Sequence, residues 1–298
     1  MNRVLTFFLA ILTLCASAAE PLGKKPAHVW GGPSGVVNDQ AITRMIWAPG
    51  IDEGYVPQGL TWAEGALFLS TYRSTDTKVD KGPCRVFKLD PNSGATLAHL
   101  DLPEECGHAG GVAPLGKGAI VVADTRKLFR IDLEAFKEGA ADASKAITSV
   151  VGLKGELKGS FADFDGTSLF IGTYERNAEK SKGHFLPVSI FEKSNGKTLN
   201  ESAAVRIISL PVEAQGAAFD SAGALWITSS SSKFGALVKL DAKSGEVLAR
   251  YDMVIGIEDL AFDNTGALWS VSEAGSLRWQ KWGKTFPVVF RVDLAKLK

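Results

Sequence analysis

The chain says nearly the same thing five times. The segments "YVPQGLTWAEGALFLSTYR" from Tyr55, "GHAGGVAPLGKGAIVVADTR" from Gly107, "KGSFADFDGTSLFIGTYER" from Lys158, "EAQGAAFDSAGALWITSSSS" from Glu213 and "GIEDLAFDNTGALWSVSEAG" from Gly256 align. Each reads as a short apolar strand, a glycine-containing turn and a second strand rich in β-branched and aromatic residues. A third strand follows every copy, as "CRVFKLD", "KLFRIDL", "VSIFEKS", "ALVKLDA" and "VVFRVDL". Four copies add a fourth: "ATLAHLDLP", "AITSVVGL", "AVRIISLP" and "EVLARYDM". The connectors "PNSG", "KSNG" and "AKSG" have the composition of hairpin turns.

A repeat of this length limits the fold sharply, because a unit of four strands cannot bury its faces alone and must stack on its neighbours. Gln58, Gly110, Ser160, Gln215 and Glu258 occupy one repeat position, at spacings of 52, 50, 55 and 43 residues by subtraction. Four antiparallel strands every 40 to 55 residues describe a β-propeller blade. The expected fold is all-β, a five-bladed β-propeller of four-stranded antiparallel blades. The last copy lacks its fourth strand, and "AITRMIWAP" (residues 41–49) is expected to supply it beside residues 288–294, closing the ring without an open edge. A sixth blade would have to hide in residues 21–39, and helix is confined to one turn or so within "DLEAFKEGAADASKA".

The flanking sequence supplies an address. "MNRVLTFFLAILTLCASAAE" has Arg3, a short apolar run and an Ala16-Ser17-Ala18 cleavage pattern, so residues 1–18 read as a signal peptide, 19–40 as an N-terminal extension and 41–298 as the single propeller domain. No apolar run is long enough to span a bilayer. Cys15 follows Leu14, where a lipid-attachment box wants a small residue, which favours simple secretion over a lipid anchor. A periplasmic or secreted monomer is expected. Lys+Arg 33 against Asp+Glu 33 gives no net charge, which argues against nucleic acid or an anionic membrane as partner. Cys84 and Cys106 remain after cleavage, and in an oxidising compartment an even pair reads as a disulfide. It would pin the loop that carries His108.

Propeller geometry turns the alignment into a map of one face. The residues entering each inner strand are Gln58, Gly110, Ser160, Gln215 and Glu258, followed by Gly59, Gly111, Phe161, Gly216 and Asp259. The turn after each second strand brings Tyr72-Arg73, Asp124 to Arg126, Tyr174 to Arg176, Ser229 to Ser232 and Glu273 to the same end. The three glycines either relieve crowding at the axis or let backbone approach a ligand. A small-molecule ligand at the channel mouth would meet Gln58, Tyr72, Arg73, His108, Arg126, Tyr174, Arg176, Gln215 and Glu258. Arg73, Arg126 and Arg176, if they converge, favour an anionic ligand held by bidentate hydrogen bonds. Gln58, Ser160, Gln215 and Glu258 offer oxygens to a hard cation such as Ca²⁺, although one carboxylate is a thin charge for it. His108, Glu258 and Asp259 are the candidates for acid–base work. His28 and His184 lie in unpatterned segments. No nucleophile elbow, phosphate loop, HExxH or dinucleotide fingerprint is present.

Blades written as "QGAAFD…GALWIT" resemble the secreted and periplasmic bacterial propellers of the lactonase and strictosidine-synthase-like class, over residues 41–294. That resemblance implies a metal held by acidic and amide residues of several inner strands; here only Glu258 and Asp259 are acidic there. The paired carboxylates that arabinanase- and levansucrase-type glycosidases carry on early inner strands are replaced by Gln58, Gly110 and Ser160. The ring resembles the calcium ring of apyrase-type nucleotidases in position, with one Glu where those have several. Three readings stand: a binding protein for a small polar ligand, a Ca²⁺-assisted hydrolase of an ester, lactone or phosphoanhydride, and a protein-interaction scaffold.

Overall fold

Five four-stranded sheets form in the computed structural model, which describes residues 20–137 and 143–298. The expected signal peptide and Cys15 lie outside the described residues. Blade one runs outward from the axis through Tyr55–Ala63, Ala66–Arg73, Cys84–Leu89 and Thr96–Asp101. Blade two is Gly111–Gly116, Ala119–Asp124, Lys127–Asp132 and Ile147–Leu153; blade four is Ala214–Phe219, Leu225–Ser230, Gly235–Leu240 and Val247–Met253. Blade five joins Ile257–Phe262, Leu268–Ser272 and Val288–Val292 to the early strand Ile42–Trp47, which pairs antiparallel with Val288–Val292. Among the described residues there is no sixth sheet, and Leu22 makes only an isolated bridge to Ile46. No helix among them is long and apolar enough to cross a membrane.

Both faces of every blade are covered, which explains why second strands such as "ALFLS" and "AIVVA" read as unbroken apolar runs. Five hydrophobic clusters fill the five gaps between neighbouring blades. Phe68, Val86, Val122 and Phe129 fill the first, and Ile46, Leu69, Trp269 and Val289 close the last. The repeated "FDxxGALW" is a turn device. Asp220 and Asp263 each accept backbone N–H groups inside the turn, then take the indole N–H of Trp226 and Trp269 at 2.9 Å. Burial works against the charge on Asp263, but bonds from Thr265, Trp269 and Ala267 win and hold its pKa at about 2.

Blade three departs from the expected pattern. Its strands are Phe161–Phe164, Ser168–Gly172, Lys182–Pro187 and Arg206–Ser209, so "KGHFLP" and not "VSIFEKS" is the third. Pro187 has no N–H to continue the ladder, and Ile190–Lys193 coils into one helical turn that buries Ile190 and Phe191 between blades two and three. A short apolar run is satisfied by either conformation. His184 therefore sits in a buried strand, facing Glu201 at 3.3 Å. Thr198–Leu199 adds to the outer strand of blade two as a parallel fifth strand.

The axis shows why glycine recurs there. A Cβ on Gly59 would lie 2.7 Å from the Gly111 carbonyl carbon, one on Gly111 2.4 Å from Phe161 Cα, and one on Gly216 2.4 Å from Asp259 Cα. Backbone of the next blade occupies the space, so crowding is the reason for these glycines. Gly111→Ala is expected to lower unfolding free energy by about 1–3 kcal/mol, since a neighbouring main chain must move. An unchanged denaturation midpoint would refute the crowding argument.

Candidate functional site

The five entry residues do converge. Gln58, Gly110, Ser160, Gln215 and Glu258 all line one cavity of about 670 Å³ at the end of the central channel. Irregular register at Pro57/Leu60, Ala214/Gly216 and Ile257/Leu260 marks bulges in three inner strands, a device that re-aims side chains without breaking the sheet. The turns after the second strands add Tyr72, Asp124, Arg126, Tyr174 and Glu273.

Two carboxyl groups form the floor. Glu258 Oε1 accepts the Gln215 amide N–H at 3.2 Å. Glu273 Oε2 accepts the Gln58 amide at 3.2 Å and the Trp279 indole N–H at 2.7 Å. Neither makes a salt bridge among the described residues, although Glu258 is 2% and Glu273 8% exposed. Burial pushes the Glu273 pKa up to about 8. It raises Glu258 well above the carboxylate range too, helped by the charges of Glu273 and Asp259. In apolar surroundings with only neutral donors, the floor holds protons at neutral pH.

A cation stands in the wall. Arg278, 7% exposed, donates to the Tyr72 hydroxyl, to Asp76 O at 3.2 Å and to Thr77 O at 3.3 Å, and lies 4.2 Å over the Trp279 ring. These acceptors are neutral. Burial lowers its pKa, yet a guanidinium stays charged. Arg278 and Trp279 belong to the connection between Leu268–Ser272 and Val288–Val292, 15 residues by subtraction against four at the same place in blade four. Its length is the signal the sequence offered, because long connections carry sites.

The remaining expected residues divide. His108 lines the cavity, stacks on Tyr72 at 4.6 Å and bonds Asp80 O through Nδ1 at 2.7 Å; it makes no hydrogen bond to Glu258. Tyr174 lines it as well, and burial raises its pKa. Arg126 reaches it, but its guanidinium is held by Gly155 O and Leu157 O. Arg73 and Arg176 do not line it. Strand alternation turns Tyr72 inward and Arg73 outward onto Glu53 O, and exposed Arg176 pairs with Glu213 at 3.2 Å. The three arginines therefore do not converge.

Asp259 is also displaced from the expected place. Fully buried below the cavity, it accepts N–H groups from Leu60 and Val112 at 3.0 Å and Ala217 at 3.2 Å, tying blades one, two and four to blade five. Its oxygens are occupied by the ring itself. The expected cation set fits Ca²⁺ poorly: Gln58 and Gln215 turn N–H groups to the carboxylates, and Ser160 Oγ accepts Tyr174 N–H at 3.0 Å.

Cys84 and Cys106 bring their sulfurs within 2.6 Å, both buried beside Asp124. Asp124 is already engaged by the N–H groups of Gly107, His108 and Ala109, at 3.2, 2.6 and 3.0 Å. It shapes the His108 loop and has little left for a metal.

No known family's sequence profile matches the chain, and no curated protein sequence does. Its fold is similar to that of Myxococcus xanthus glutaminyl cyclase, with 14% identity, a TM-score of 0.56, and coverage of 85% of this chain and 97% of that one. It is also similar to a PQQ-bound aldose sugar dehydrogenase from Streptomyces coelicolor, with 13% identity, a TM-score of 0.52, and coverage of 88% and 99%. At such identities the likeness shows a propeller fold alone.

Proposed function

We propose that this propeller binds a small polar molecule in the cavity at the channel mouth. The observation that carries the reading is a cavity of about 670 Å³ whose walls hold buried ionisable groups, Glu258, Glu273 and Arg278, without opposite charges. Buried charges without partners cost several kcal/mol each, and proteins keep them where a ligand or a reaction uses them. The volume suits a metabolite-sized ligand. Screening small polar metabolites by thermal shift tests this: a binder raises the melting temperature, and Gln215→Ala weakens it. A full screen without a shift would sink the proposal.

An enzymatic reading uses the same floor. A carboxyl held near pKa 8 is a competent general acid at neutral pH, as ester or lactone hydrolysis requires. The fold neighbours named as enzymes make it worth assaying. Turnover of an ester, lactone or nucleotide panel, with and without Ca²⁺, and its loss in Glu273→Gln would favour catalysis over binding alone.

An exported, disulfide-bridged protein is part of the same proposal. The facing Cys84 and Cys106 sulfurs support a bridge that would fasten residues 74–83 to the His108 loop at the cavity rim. Thiol counting on denatured, unreduced protein purified from an oxidising compartment is expected to find none free. Reduction should cost about 3 kcal/mol of stability. Two free thiols would refute the bridge.

A further inference from the structure

The floor and the wall of the cavity are oppositely charged and do not neutralise each other. Oε2 of Glu258 and Oε1 of Glu273 have no hydrogen-bond partner among the described residues, and both side chains line the cavity while more than nine-tenths buried. Arg278, equally buried, makes three hydrogen bonds to neutral oxygens and leaves two of its five donors free of listed partners in the fold. It has no carboxylate within ion-pair distance among the described residues.

We infer that the cavity receives a small zwitterion, its ammonium group against Glu258 and Glu273 and its carboxylate toward Arg278. The inference rests on the binding reading and deepens it. A simple acid would satisfy Arg278 but bring a third negative charge beside two buried carboxyls. A simple amine would satisfy the floor and leave the guanidinium unpaired. One molecule with both groups compensates each, and charge-assisted hydrogen bonds in a water-poor cavity are the strong kind. Stacked His108 on Tyr72, and Trp279 on Trp282 at 4.7 Å, give flat apolar wall for the carbon skeleton between the two ends.

The distance between the ends sets the ligand's length, so the probes are a series. Titration calorimetry at pH 7 would use the standard α-amino acids and the unbranched ω-amino acids from glycine to 6-aminohexanoate. Each member would be matched with its N-acetyl and its carboxamide form. At least one zwitterion is expected to bind. Acetylating its amine, or converting its carboxylate to an amide, should each weaken it tenfold or more. Glu258→Gln should abolish discrimination against the N-acetyl form, and Arg278→Gln discrimination against the amide, with unchanged circular dichroism confirming that each variant folds. Equal affinity for a zwitterion and its N-acetyl form overturns the inference. So does binding confined to neutral polyols, to small acids or to Ca²⁺ alone, while leaving the cavity a binding site. No binding by the series or by the wider metabolite screen overturns both.

Discussion

Asp259→Ala is expected to lose most of the stability of the ring. The carboxylate is the one side chain that holds backbone N–H groups of three other blades at once, those of Leu60, Val112 and Ala217. Removing it leaves three buried donors without acceptors, and each costs about 1–3 kcal/mol. That total is comparable with the 5–15 kcal/mol, roughly, by which a domain is stable at all. Water cannot repair the loss where the inner strands meet without space for a Cβ. Asp259→Asn should be milder, since its amide oxygen still accepts one or two of the bonds while its NH₂ opposes a donor. Glu258→Gln, one residue earlier, removes no inter-blade bond and should be far better tolerated. Urea denaturation followed by tryptophan fluorescence distinguishes them. A loss below about 1 kcal/mol in Asp259→Ala would contradict the role assigned here.

Stability should also fall as pH rises from about 5 to about 8, the reverse of the behaviour of a protein held by salt bridges. The sign follows from where protons bind. Glu273 has its pKa raised by burial to about 8 from an ordinary value near 4.5, and Glu258 moves the same way. The folded state thus retains protons that the unfolded chain releases. Their contribution is complete below about pH 4.5 and is lost as pH climbs through 8. Asp163, raised by burial to about 7, adds to the slope. One group changes stability by up to 1.36 kcal/mol per pH unit in that window, so the effect is on the order of a few kcal/mol. Two features bound the optimum from below. Asp263, held at about 2, withdraws stability as acid protonates it, and His184, lowered by burial, does so as pH falls below its ordinary value of 6.5. Melting temperatures from pH 4 to 9 should peak on the acid side of neutrality. Glu273→Gln should flatten the decline and be the more stable protein at pH 8. A wild-type curve rising from pH 5 to 8, or an unaltered slope in the variant, would show that these carboxyls are not neutral in the fold.

How much of this was written in the sequence differs from place to place. The blades were legible because the "FDxxGALW" turn repeats a local chemistry, Asp closing its turn and holding a Trp, that any copy needs. The entry column was legible for a related reason: equivalent positions in equivalent units must point the same way, and all five line the cavity. The site's strongest charges were not. Arg278 and Trp279 lie in an insertion with no counterpart in the other blades, so alignment gave them no position to occupy. Glu273 could be placed at the right end, but its partners could not, because Gln58 is 215 residues away. Asp259 shows the opposite error. Its acidity suggested a ligand, and only the approach of three inner strands reveals that the ring itself uses both oxygens. "VSIFEKS" misled because four apolar and polar letters cannot distinguish a strand from a helical turn when both bury Ile190 and Phe191.

Blade five has a consequence for how the molecule is made. Ile42 pairs with Val292 and Trp47 with Val288, contacts spanning 250 and 241 residues by subtraction. Blades one to four can assemble in the order of synthesis, but the first strand of the chain waits for its partner until almost the last residue exists. Such distant pairing slows folding more than it weakens the product. It also sorts chains by completeness. A polypeptide cut before residue 288 leaves Ile42–Trp47 without a partner and Leu268–Ser272 with an open edge, and open edges recruit other chains. Shortened copies would clump and be cleared, while those that carry both ends circularise and stay in solution.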